Sequence, residues 1–217
     1  MTSDWQWEWL GEHYALMGSL LGEHVYFSAL PVLLGLGAAL PLGLACVRWP
    51  TLYPPVLAAT SVLYALPSLA LFVVLLDYTG LSAATVVIPL TLYTLAVLVR
   101  NVVDGLRSVP VATRQAATAI GFSGARRLLQ VELPIAVPVI FAGLRVATVS
   151  NISLVSVGSL LGFSGLGKLF TDGLQRSHPV EILAGIVLTI ALAVAADTLL
   201  VLVQRLLTPW SRSGRSA

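Results

Sequence analysis

An all-α integral membrane fold is predicted by three observations. Hydrophobic residues make up 57% of the 217-residue chain and charged residues only 10%. Mean hydropathy is +0.91. The apolar residues gather into five long runs, parted by short polar segments. A soluble domain is about a quarter charged, whereas a helix needs roughly 20 apolar residues to cross about 30 Å of hydrocarbon. The length suits one domain. Cys46 is the single cysteine, which excludes an internal disulfide, and no Cys/His cluster points to a metal. The lipid bilayer is the expected environment, and nucleic acid is not an expected partner.

Residues 1–24 read as an extracytoplasmic, interfacial segment. The stretch MTSDWQWEWLGEH is acidic and lacks both the basic n-region and the small-residue cleavage site of a signal peptide. Trp5, Trp7 and Trp9 suit the boundary between hydrocarbon and headgroups. Trp5 and Trp9 share a helical face that Leu16 and Leu20 continue, which predicts a helix lying on the membrane surface.

Residues 25–206 form the transmembrane domain, with expected spans Val25–Val47, Pro54–Leu76, Ala83–Val99, Pro134–Leu161 and Ile182–Leu206. Pro31, Pro41, Pro67, Pro89 and Pro138 interrupt four of them, which a bundle tolerates when neighbours satisfy the freed carbonyls. Basic residues fix the orientation. Arg48 follows the first span. Arg100, Arg107, Arg114, Arg126 and Arg127 separate the third from the fourth, and Arg205, Arg212 and Arg215 follow the fifth. Asp4, Glu8, Glu12, Glu23, Asp77, Asp172 and Glu181 crowd the opposite side, where Lys168 and Arg176 are the bases. The N-terminus is therefore expected outside, and the tail 207–217 in the cytoplasm.

The loop 104–134 then lies in the cytoplasm. Ser108 suits an N-cap, with Pro110 in the first turn of a helix running to about Ile120. Gly121 suits the left-handed C-cap that ends it. Ala112, Ala116 and Ala119 recur at helical spacing and form a smooth face that another surface can approach closely. Ser123 is placed to cap a second short helix through Val131, with Arg126 and Arg127 exposed and Leu128 and Leu129 turned partly inward. Pro134 is expected to open the fourth span, where a missing N–H costs nothing. A capped helix–glycine–helix unit on the cytoplasmic face has the make of a docking element.

Inside the spans, Arg145 lies 11 residues beyond Pro134 and Asp197 lies 9 before Leu206. At about 1.5 Å per residue their depths are roughly 16 and 13 Å, close enough for an ion pair. Ser150, Asn151, Ser153 and Ser156, with Tyr64, Ser68 and Tyr93, either bond across helices or line a pathway. Gly162, Gly165 and Gly167 are expected to turn the chain at the outer mouth. His13, His24 and His178 have no nucleophile beside them, and no GxxxxGK[ST] motif is present. The chain is not expected to be an enzyme, and a partner must supply the energy for any active transport.

Gln115-Ala116-Ala117, then three positions, Gly121, nine positions, and Val131-x-Leu133-Pro134 resemble the EAA loop of binding-protein-dependent ABC importer permeases, E-A-A-x3-G-x9-I-x-L-P. Gln115 replaces the family's glutamate and Val131 its isoleucine. The resemblance implies a type I importer core in which Gln115, Ala116, Ala117, Gly121, Phe122, Arg126, Leu133 and Pro134 couple to a cytoplasmic ATPase. It also implies ATP and Mg on that ATPase rather than on this chain. A second permease subunit, identical or paralogous, would complete the pathway, and an extracytoplasmic binding protein would deliver cargo. ALPSLALF (Ala65–Phe72), VELPIAVPVIFAGLRVATV (Val131–Val149) and GLGKLFTDGL (Gly165–Leu174) resemble the osmoprotectant branch, whose members carry glycine betaine, choline and carnitine. The alternatives are a permease for another small solute such as an amino acid, or an ATPase-independent transporter or channel. The latter would show mid-membrane carboxylates for ion coupling and inverted repeats.

Overall fold

The computed structural model describes residues 5–212, with side chains from 8 to 210; among them are helices and turns but no strand. The helices are α1 (Trp5–Glu12), α2 (Tyr14–Arg48), α3 (Tyr53–Ala65), α4 (Ser68–Thr79), α5 (Ala83–Arg107), α6 (Val111–Ala119), α7 (Gly124–Arg127), α8 (Leu133–Gly158), α9 (Gly167–Gln175) and α10 (Pro179–Leu207). Among the described residues α2, α5, α10 and the continuous stretch Gly124–Leu161 are each long and apolar enough to cross a membrane. The pair α3 and α4 adds a fifth, broken span, bent by 90°.

That break corrects the expectation of one helix over Pro54–Leu76. Proline disfavours the helical region for the residue before it, and Leu66 is extended, at ψ 137°. The Leu66 carbonyl so freed accepts a hydrogen bond of 2.6 Å from the Tyr93 hydroxyl on α5. Pro31, Pro41, Pro89 and Pro138 instead sit inside helices that continue through them.

The core is built around α5, which packs against α2, α3, α4 and α8. Lipid tails are as apolar as leucine, so helices associate in a membrane by close packing rather than by escaping water. The α2–α5 seam follows that rule. Gly35, Ala39 and Gly43, four residues apart, are all buried. A Cβ added at Gly35 would strike Thr94, and one at Gly43 would strike Val102. Phe72, Val86, Leu90, Tyr93, Val155 and Phe163 form one buried cluster, and Val102, Leu106, Ala136 and Ile140 form another.

Buried polar side chains then staple the helices. Asn151 of α8 donates to the Thr94 hydroxyl of α5 at 2.9 Å. His24, wholly buried, donates from Nε2 to the Ile152 carbonyl at 2.9 Å and accepts the Leu166 N–H on Nδ1 at 3.1 Å. Both bonds need a neutral ring with its proton on Nε2. A residue read as an interfacial bystander thus joins α2 to α8 and to the start of α9.

The N-terminal segment also differs from the surface helix expected of it. Trp9 is 9% exposed, stacks on His13 at 4.4 Å, and joins Leu20, Leu166 and Leu169 in a cluster. The apolar lid offered by α9 takes the indole away from lipid. Leu16 stays exposed; the side chains of Trp5 and Trp7 lie outside the described residues. Gly162 and Gly165 do turn the chain with positive φ, but Gly167 opens α9, where a Cβ would collide with Ser156.

Candidate functional site: the cytoplasmic helical hairpin

Pro110, not Ser108, holds the N-cap position of α6. The proline keeps Val109 out of the helical region, so a helix can begin only after it. Ser108 closes α5 instead, its hydroxyl donating to the Gly105 carbonyl at 2.7 Å. Gly121 ends α6 with φ +89°. Its N–H reaches the Thr118 carbonyl and the Phe122 N–H reaches the Ala117 carbonyl, both at 3.0 Å. This paired closure needs a left-handed residue, the conformation glycine adopts without steric cost. Along α6, Val111, Ala112, Gln115, Ala116, Ala119 and Ile120 are exposed, while Ala117 is buried.

Ser123 caps α7 by accepting the Arg126 N–H at 3.4 Å. The second helix does not run separately to Val131. After α7, a wider π turn over Leu128–Glu132 leads straight into α8. Pro134 therefore sits within a continuous helix rather than opening a new one. Its ring has no N–H for the carbonyl four residues back, and the wider turn accommodates that mismatch. Leu128 is half-buried, but Leu129 is 64% exposed, because the turn rotates it away from the core.

Glu132 holds the hairpin together. It is 7% exposed and accepts from Arg127 Nε at 2.7 Å, while its second oxygen lies 3.8 Å from Arg114 Nε. Arg127 also donates to the Thr118 hydroxyl at 3.0 Å, and Arg114 donates to the Leu106 carbonyl. One carboxylate thus ties α6 to the root of α8. The signal was present: Glu132 is the sole carboxylate between Asp104 and Asp172, set among arginines. Arg126 lies over the Phe122 ring at 4.4 Å and donates to Gln130 at 3.0 Å. Leu133 packs against the inner cluster, and Gln115 borders a shallow hollow with Val111, Arg114 and Thr118.

Within the membrane, Arg145 of α8 meets Asp197 of α10 in a two-pronged contact, Nε to Oδ1 at 2.6 Å and Nη2 to Oδ2 at 2.8 Å. Tyr64, Ser68 and Tyr93 gather at the α3–α4 break, the two rings edge-on with centroids 5.8 Å apart. Tyr93 is buried, and Tyr64 is exposed beside a groove of about 310 Å³ shared with Ser61, Arg100 and Asn101. On α8, Asn151 is buried, Ser150 half-buried and Ser153 exposed.

A polytopic helical bundle carrying a braced hairpin on its arginine-rich side belongs to the class of transport-system membrane subunits. Residues 32–213 match the binding-protein-dependent transport system inner membrane component family, and the chain belongs to that family. It is an inner-membrane permease subunit of a binding-protein-dependent transport system. The chain is 36% identical to the osmoprotectant import permease protein OsmW of Salmonella typhimurium, over 91% of this chain and 96% of that one. It is 36% identical to the choline transport system permease protein OpuBD of Bacillus subtilis, over 93% of this chain and 92% of that one. The fold resembles the MetNI methionine ABC transporter in inward-facing conformations, with a TM-score of 0.77 at 20% identity over 96% of this chain and 100% of that one.

Proposed function

We propose that this chain forms half of the translocation pathway of an ATP-driven importer of quaternary-ammonium osmoprotectants such as glycine betaine, choline and carnitine. The observation that carries this reading is the exposed face of α6, closed at Gly121 and braced by Glu132. It is a braced projection that no other part of the chain covers among the described residues, at the spacing of the EAA loop. The cargo class rests on the similarity to relatives named for osmoprotectant, choline and glycine betaine/carnitine/choline transport.

ATP and Mg bind the partner ATPase. Closure of two ATPase subunits swings the two hairpins, and because α7 runs into α8, the swing reaches the membrane helices directly. Binding protein and ATPase bias the same two-state equilibrium, outward-open against inward-open, through their differential affinity for its states. Gln115 contributes a neutral hydrogen-bonding contact where the family pattern has a charge.

Proteoliposomes holding this chain with its ATPase subunit and binding protein test the reading. ATP-dependent uptake of labelled glycine betaine, choline or carnitine, and none of methionine, is expected. Gly121→Val should abolish co-purification of the ATPase while the permease still inserts. Uptake that persists without any ATPase, or methionine as the preferred cargo, overturns the proposal.

A further inference from the structure

The cytoplasmic end of α2 and the hairpin enclose a hollow of about 620 Å³, lined by Leu44, Val47, Arg48, Arg114, Arg127 and Glu132 among others. Two kinds of surface meet in it. Leu44 and Val47 continue the apolar flank of a membrane-crossing helix. Below them three guanidinium groups face a single carboxylate, an excess of two positive charges (3 − 1). Glu132 is committed to Arg127 and, more distantly, to Arg114. Arg114 Nε is buried and makes no hydrogen bond. Arg48 stands exposed in the last turn of α2 with no hydrogen bond or ion pair among the described residues.

A ligand that suits this hollow carries a tetrahedral anion at one end and hydrocarbon at the other. Arginine forks match phosphate oxygens in geometry and charge. Basic pockets beside helices on the cytoplasmic side favour anionic headgroups. The position matters as much as the charge, since Arg48 ends a membrane span where headgroups lie. We propose that the hollow binds the phosphodiester headgroup of an anionic phospholipid from the cytoplasmic leaflet. Arg48 and Arg114 hold the phosphate, and Leu44 and Val47 lie along the upper acyl chain. The headgroup then sits between α2 and the root of the hairpin, at the point where docking motion enters the membrane. The inference is independent of which solute is carried.

Native mass spectrometry tests it on the assembled permease–ATPase complex, released from vesicles of phosphatidylglycerol with phosphatidylcholine. The wild-type complex is expected to retain phosphatidylglycerol in preference to phosphatidylcholine. Arg48→Gln should lower that retention about tenfold, the ratio set by one lost charge-assisted hydrogen bond, and Arg48→Lys should restore most of it. Val47→Trp, which fills the hollow and leaves every charge in place, should lower it as well. This variant carries the test if Arg48→Gln fails to assemble. Equal retention of the two lipids, or full retention in Arg48→Gln or Val47→Trp, overturns the proposal. Displacement of the lipid by millimolar inorganic phosphate would also overturn it, since that marks a site for a soluble anion. A complex in which the ATPase itself fills the hollow and excludes lipid would refute it too.

Discussion

Replacing Glu132 should loosen the cytoplasmic hairpin without unfolding the membrane bundle. Among the described residues its carboxylate alone pairs with Arg127, at 2.7 Å, and Arg114, at 3.8 Å. A hydrogen bond to a charged group contributes about 1.5–3 kcal/mol. Arg127 is about one-third exposed, so solvent screening places the value near the lower end, about 1.5 kcal/mol. Local opening of α6 should become easier by that amount, which is roughly a tenfold faster exchange of its amide hydrogens. Hydrogen–deuterium exchange on Glu132→Ala, assembled without ATPase, reads this directly in peptides covering Val111–Ala119. Glu132→Gln should fall between, since it keeps one acceptor and loses the charge. In the complete transporter the same variants should hydrolyse more ATP for each solute imported. Unchanged exchange in α6, or equal loss of protection across α5 and α8, would refute the assignment of Glu132 as the brace. A cycle with Arg127→Ala should show coupling between the two positions, since contacting residues are not additive.

Three further outcomes follow from the geometry. Arg145→Asp and Asp197→Arg should each lower the amount of folded permease in membranes, and the two together should restore it, because the pairing at 2.6 and 2.8 Å survives exchange of partners; no recovery in the double variant counts against pairing. Tyr93→Phe removes the donor to the Leu66 carbonyl and should cost about 1–3 kcal/mol, seen as a lower denaturation midpoint in detergent. Gly43→Leu should prevent assembly of α2 on α5, since its side chain would enter the space of Val102, whereas Gly37→Leu, on the open face of the same helix, should be tolerated.

The parts of the fold legible in the sequence are those set by local chemistry. Span number followed from apolar runs, the glycine closure from position and spacing, and the Arg145–Asp197 contact from two charges at matching depth in oil. What escaped were features decided by distant partners. Pro31, Pro41, Pro89, Pro134 and Pro138 leave their helices continuous, whereas Pro67 breaks one, because the Tyr93 hydroxyl, 27 residues beyond Leu66, donates to the freed Leu66 carbonyl. Nothing near Pro67 announces that. His24 looked peripheral because α2 extends beyond the hydrocarbon. Its two partners are Ile152 and Leu166, on segments more than a hundred residues away. The root of the hairpin was misread because Pro134 suggests a helix start, and one wider turn upstream removes the need for one.

That unbroken root makes a lever. Gly124–Leu161 is 38 residues of continuous helix, roughly 57 Å at about 1.5 Å per residue. A tilt of about 5° around its cytoplasmic tip carries the far end about 5 Å sideways, comparable to the width of a small amine. A jointed connection would absorb a displacement of that size in the loop. Here a sub-ångström adjustment at the hairpin is magnified along a rod, so a displacement on one face of the membrane reaches the other with no intervening relay.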